Sequence, residues 1–317
     1  MPMPRFLSNL LKTWFIQEVW ATIRLCAPIA IGYGLDQQQP RITLLFCGHA
    51  PKNAALILEA AGLGNSVINI TSAMIAMGMG LAMDTLASQA WGAGSYKKLG
   101  VYLQRGILIQ IPVLLVVLGI WANLESILNL LHQPPCVVGY TVLFTKGYAT
   151  ALPALSFYYL IQKYLQAQGI VYPFIISGCV AMVLNVLANY LLIIVADLGI
   201  MGAGIAFGLT QWAGLVTILV VIRIRKLHQK TWDGWSWESL NGWGQYMKYS
   251  IPGLFILFAE SGTYEVGMVI TGLTGTLQQG IYTVLESYSL CSFFVTYSLQ
   301  SAASVRVGNA MGEGERL

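Results

Sequence analysis

Charge is what this 317-residue chain has least of: Asp, Glu, Lys and Arg make up 9% of it, where a soluble domain carries about 25%. With 56% hydrophobic residues, it has too little polar surface to stay dissolved, and the bilayer is the solvent that tolerates it. No Lys/Arg run follows a phosphate backbone and the net charge is only +4, so nucleic acid is not an expected partner. The five cysteines (Cys26, Cys47, Cys136, Cys179, Cys291) form no CxxC, which excludes a zinc ribbon or dithiol motif. They read as small thiols inside apolar runs. His49, His132 and His228 stand far apart. HExxH, GxSxG, phosphate-loop and EF-hand patterns are all missing, so no metal, cofactor or enzymatic activity is expected. A cleaved leader is not expected either. Residues 5–22 alternate apolar and polar side chains at helical spacing and read as an interfacial amphipathic helix.

What the chain does have is long apolar runs. A span needs about 20 mostly apolar residues. Spans are expected near 25–46, 60–83, 101–123, 138–160, 172–195, 201–222, 249–273 and 281–303, giving an all-α polytopic membrane protein of about eight helices. With the N-terminus in the cytoplasm, nearly all Lys and Arg fall at cytoplasmic ends, as the positive-inside bias requires. Lys52 is the clear exception, with Arg41 and Lys146 arguable.

The longest polar connection, RIRKLHQKTWDGWSWESLNGWGQ at 223–245, is basic and then Trp-rich, the composition of a linker lying in the headgroup zone. A repeat relates the chain on its two sides. DTLASQAWGAG at 84–94 aligns with SVRVGNAMGEG at 304–314, and Pro28 with Pro252, at offsets of 220 and 224. Corresponding spans run in the same direction, so the repeat is parallel. The expected organisation is a cytoplasmic amphipathic N-terminus over 1–24, a six-helix lobe over 25–222, a linker over 223–248, and two helices of a second lobe with a tail over 249–317. A second copy of two spans suggests a C-terminally shortened protein.

Polar side chains at bilayer depth are expensive, about 2.5–3.5 kcal/mol for an ionised one at a helix centre, and are functional candidates by default. Counting from Tyr249, Glu260 lies ~16 Å along the seventh span, and Tyr264 shares its face at i+4. Glu265 sits on a neighbouring face and Glu286 early in the eighth span. Such a carboxyl can hold a proton, or lose it and attract an organic cation. The alternative for Glu260 and Glu265 is a structural hydrogen bond between helices, and for Glu286 a position at the outer interface.

The second span carries Asn65, Asn69 and Ser72 as a stripe, and the fifth pairs Asn185 with Asn189. These amides read either as cavity lining or as interhelical glue. Gly204 and Gly208 form a GxxxG in the sixth span, a helix-packing signature. Asp36-Gln37-Gln38-Gln39-Pro40-Arg41 interrupts the first span. It suggests an Asp36–Arg41 pair, a helix broken at Pro40 around a site, or an error in the sequence.

In order along the chain stand FCGH (46–49), GLGNSVINIT (62–71), DTLASQAWGAG (84–94), LQRGI (103–107), QKYLQAQGI (162–170), NVLANYLLI (185–193), KLHQKTWDGWS (226–236), YEVG (264–267) and AASVRVGNAMGEG (302–314). This series resembles the eukaryotic branch of the MATE (multidrug and toxic compound extrusion) family. The resemblance implies twelve helices in two six-helix lobes and export of organic cations and xenobiotics in exchange for protons, from a multi-pass protein of the plasma membrane. It also implies that Glu260, Glu265 and Glu286 are the proton- and cation-binding carboxyls, with Tyr264 and Asn69 at the cavity. Asn189 stands where bacterial members carry an acid, which moves proton coupling toward the second lobe. A six-plus-two chain lacks one wall of the central cavity. Two alternatives remain open: a non-transporting regulatory form, or a flippase of an amphipathic or lipid-linked substrate.

Overall fold

Where no water can bond the backbone, a spanning segment must satisfy its own N–H and C=O groups, and the helix does so locally. The computed structural model describes the backbone of residues 5–274 and 276–314, and the side chains there except 5–15, 261, 264–284, 286–288 and 290–292. In chain order the helices are α1 (Arg5–Gly48), α2 (Ala54–Gly92), α3 (Tyr96–Ala122), the short α4 (Leu124–Leu130), α5 (residues 135–167), α6 (Tyr172–Val195), α7 (Gly199–Ile224), α8 (Trp243–Thr274) and α9 (Thr276–Gly314). The eight expected spans each have their helix; α4 is an addition, two turns lying between the third and fourth spans.

The segment 5–22 runs into the first span without a break, as one helix from Arg5 to Gly48; no glycine or proline lies between 5 and 27 to end it. One local expectation changes. Pro40 does not break the first span: α1 continues through both Pro28 and Pro40. Two other spans loosen instead. Residues Asn69–Ala73 inside α2 and Tyr190–Val195 at the end of α6 are π-helical turns, a distortion frequent at functional sites.

Among the described residues, four helices are long and apolar enough to cross a membrane by composition alone: α2, α3, α6 and α7. In α6 only 28% of the most apolar window is buried within the protein. Val183, Leu187 and Val195 point outward there, the distribution of a helix whose solvent is lipid.

Helices α1 to α7 form the larger half and α8 and α9 pack on it. Within the larger half, α6 lies against α1 and α7, and α5 against α2 and α7. The GxxxG of α7 has the packing role expected of it: a side chain at Gly204 would overlap the Phe144 carbonyl of α5. The latter part of α2 is the axis of the molecule, touching α3, α5, α8 and α9.

The two repeated motifs meet here. A side chain at Gly92 would overlap the Asn309 carbonyl, and one at Gly312 the Gln89 carbonyl. The two repeated segments are thus in contact across the seam, each glycine against the residue three positions before its counterpart. At the same end, the Gln104 side chain of α3 donates to the Gly234 carbonyl at 2.7 Å and accepts from the Ser236 N–H at 2.9 Å. The linker is therefore pinned by its backbone. Lys97 pairs with Asp233 at 2.7 Å in an exposed contact. Both side chains are exposed, so salt screens this pair.

Candidate functional site

The interrupted stretch of α1 is the start of a polar cluster inside the larger half. Asp36, Gln39 and Thr43 lie at i, i+3 and i+7, one face of a helix, and that face turns toward α5, α6 and α7. Gln39 donates to Asp36 Oδ1 at 3.2 Å. The Tyr158 hydroxyl of α5 reaches the same oxygen at 3.4 Å and Ser177 of α6 at 3.0 Å. Asp36 thus bonds Gln39 and Tyr158, where the sequence suggested Arg41.

One turn further along, Thr43 accepts from Asn185 Nδ2 at 3.3 Å and from Asn189 Nδ2 at 3.2 Å. Asn185 also donates to Thr210 of α7 at 3.1 Å, and Asn189 to the Asn185 carbonyl at 2.8 Å. Gln211 donates to Gln39 Oε1 at 3.5 Å. Thr43, Asn185 and Asn189 are each fully buried.

The atoms left over are all of one kind. Asp36 Oδ2, Asn185 Oδ1 and Asn189 Oδ1 are buried without a hydrogen-bond partner; each is an acceptor. A buried polar group without a partner costs about 1–3 kcal/mol. Pro40 adds to the imbalance, because it lacks the N–H that would bond the Asp36 carbonyl one turn earlier. The cluster is short of donors. A proton on Asp36, a water or a small cation would relieve it.

Of the residues expected to line the site, Asn185 and Asn189 are in this cluster. Asn65 is half-buried and Asn69 exposed, the latter opening the π-turn of α2. Glu260 is exposed on α8. The side chains of Tyr264, Glu265 and Glu286 lie outside the described residues. Tyr158, Thr43 and Thr210 are not among the residues expected at a site; Asp36 stands in the stretch that reads in the sequence as an Asp36–Arg41 pair, a break around a site or an error. The periodic polar face of α1 is the signal for Asp36 and Thr43.

A second buried cluster sits at the seam. Lys163 of α5 pairs with Asp84 of α2 at 2.7 Å, their side chains 2% and 6% exposed. Lys163 also donates to Ser301 of α9 at 3.2 Å, and its ammonium lies 5.4 Å from the centre of the Tyr297 ring. Ser301 donates to Gln166 Oε1 at 3.0 Å.

The protein is thus a helical membrane bundle with a donor-poor polar cluster, onto which two further helices dock along a polar seam. The MatE family model matches residues 28–191, about half of the chain, and the chain belongs to that family. It is 37% identical over 310 residues to multidrug and toxin extrusion protein 1 of Rattus norvegicus, covering 98% of this chain and 54% of that protein. The Homo sapiens protein of the same name is also 37% identical, over 95% of this chain and 52% of its own length. The chain thus spans about half the length of these relatives. Among solved structures, the eukaryotic MATE transporter AtDTX14 superposes with a TM-score of 0.86 at 23% identity, over 95% of this chain and 67% of that one. A MATE family transporter in an outward-facing conformation gives 0.79 at 16% identity, over 92% and 65%.

Proposed function

We propose that this protein takes part in proton-coupled antiport of organic cations by alternating access, and that Asp36 holds the exchanged proton in the larger half. The observation that carries the reading is the set of buried acceptors, Asp36 Oδ2, Asn185 Oδ1 and Asn189 Oδ1, with no donor to meet them. An ionised carboxylate in that setting is costly, so the cluster favours a bound proton or a bound cation over neither. Asn189 cannot carry a proton; Asp36, on the neighbouring helix, can. Glu260, Glu265 and Glu286 complete the reading as the carboxyls of α8 and α9 that receive the cation, with Tyr264, Asn65 and Asn69 toward the passage. The relatives named for multidrug and toxin extrusion support a xenobiotic cation as cargo. The expected setting is the plasma membrane with the N-terminus inside.

The test uses the purified chain in lipid nanodiscs and tetraethylammonium as probe. Addition of the cation releases protons to a pH dye, and Asp36→Asn abolishes the release while tetraethylammonium still binds. Binding without proton release in the unaltered chain overturns the coupling. Proton release that persists in Asp36→Asn, with Glu260→Gln abolishing it, moves the proton to the smaller half. An absence of tetraethylammonium binding overturns the cation reading. Acceptor oxygens also suit sodium, so the same titration in sodium and potassium buffers separates the two coupling ions.

A further inference from the structure

We infer that Lys163 is the positioning residue that locks the smaller half onto the larger one at the linker end of the molecule, and that its contacts with Ser301 and Tyr297 are the parts of the lock that open. The ion pair itself does not cross the seam: Lys163 and Asp84 belong to α5 and α2 of the same half. An ammonium has three donors. One is fixed by Asp84, which leaves the others free to reach α9, where Ser301 Oγ accepts at 3.2 Å and the Tyr297 ring lies 5.4 Å away. Asp84 thus fixes the position of Lys163, and Lys163 fixes α9.

The surroundings make this contact selective for one arrangement. Ser301 returns a hydrogen bond to Gln166 at 3.0 Å, one turn along α5 from Lys163. Tyr297 packs edge-on against Tyr33 of α1 at 5.1 Å. Further along α9 from Ser301, Arg306 binds Glu18 of α1 at 2.6 Å. Past that, the small residues of the repeated motifs let α2 and α9 touch backbone to backbone at Gly92 and Gly312. Asp84, Lys163 and Gln166 lie in the last turns of α2 and α5, and Arg306, Gly312 and Glu18 lie toward the same end, where Thr231 of the linker meets Tyr164; Tyr297 and Ser301 lie near the middle of α9 and Tyr33 past the middle of α1.

Toward the other end, Phe255, Ile256 and Glu260 of α8 and Leu285 of α9 are exposed. Without Lys163 the buried Asp84 would be uncompensated and Ser301 would lose its cross-seam donor. Without Ser301 and Tyr297 the ion pair would survive and only the crossing contacts would go.

The inference needs the alternating-access part of the proposed function and neither its cargo nor its coupling ion. The chain, with its native cysteines replaced, carries spin labels at positions 98 and 311, on the first turn of α3 and the last of α9, both exposed. A control pair at 98 and 230 lies within the larger half and its linker. Inter-label distances are measured in nanodiscs with no cation and no gradient. The expected result is a single narrow 98–311 distribution for the unaltered lock. In Ser301→Ala with Tyr297→Leu, and in Lys163→Gln, that distribution broadens to longer distances while the control stays put.

An unchanged 98–311 distribution in the Ser301→Ala, Tyr297→Leu protein with the control intact overturns the inference. If Lys163→Gln disturbs the control pair too, the larger half itself is affected, and the Ser301/Tyr297 variant alone decides. Failure here leaves proton release by tetraethylammonium untouched, and failure of that titration leaves these distances untouched.

Discussion

Asn185 shows what a single side chain contributes in this interior. Its Nδ2 donates to Thr43 and Thr210, tying α1, α6 and α7 at one point. Replacement by Ala removes both bonds but also removes an unpartnered acceptor, Oδ1. The two effects oppose one another, and the lost bonds weigh more because both threonines stay buried. Asn185→Ala is expected to cost about 1–3 kcal/mol, seen as a lower unfolding midpoint in detergent. Glu260 is the opposite case. It is exposed, so Glu260→Gln is expected to leave that midpoint unchanged while reducing tetraethylammonium binding. A large drop in midpoint would place Glu260 in a structural hydrogen bond instead.

At the scale of the element, proline and glycine act through what they omit. Pro40 sits inside α1 without ending it, and a proline within a helix withholds one backbone donor. The group deprived is the Asp36 carbonyl, on the residue that carries the carboxyl of the cluster. Pro40→Ala restores that donor. The expected outcome is a more stable α1, with slower backbone hydrogen exchange over 36–44 and weaker proton release on cation binding. Faster exchange would mean that Pro40 supports the helix. Gly204 omits a side chain so that α7 can approach the Phe144 carbonyl. Gly204→Leu forces the two helices apart, which typically costs about 1–3 kcal/mol for an overpacked contact. A midpoint within error of the unaltered protein would show that the contact yields freely.

At the scale of the whole chain, α8 and α9 join the helices before them through a pinned linker. Gln104 takes both a carbonyl and an N–H of the linker backbone, and Arg105 reaches the Glu238 carbonyl at 3.2 Å. Trp235 and Trp237 are 64% and 86% exposed on a segment fixed in this way, so their exposure is built in and suits the headgroup zone. Gln104→Ala is expected to speed hydrogen exchange over 231–241 at least tenfold, the factor that ~1.4 kcal/mol of lost bonding produces in an opening equilibrium, with little change in α6 and α7. Uniform acceleration across the chain would instead mark Gln104 as a general stability residue.

Hydropathy is enough to read the membrane class and the eight helical spans. Each depends on the cost of placing a residue in lipid or in water, and that cost is a property of the residue alone. The repeat is legible for the same local reason: the small and amide residues of 84–94 recur at 304–314. That the two copies pack on each other is not legible, because contact across a seam depends on where two helices are placed.

The same limit governs the sites. Asn185 and Asn189 stand out as polar residues in an apolar run, but their partners, Thr43 and Thr210, lie on two other helices. Asp36 shows in the sequence as part of an interruption, and nothing there marks Lys163 as buried. A buried charge is tolerable only with partners, and the helix rotations that supply Tyr158 to Asp36, and Asp84 and Ser301 to Lys163, exist only once the bundle has assembled.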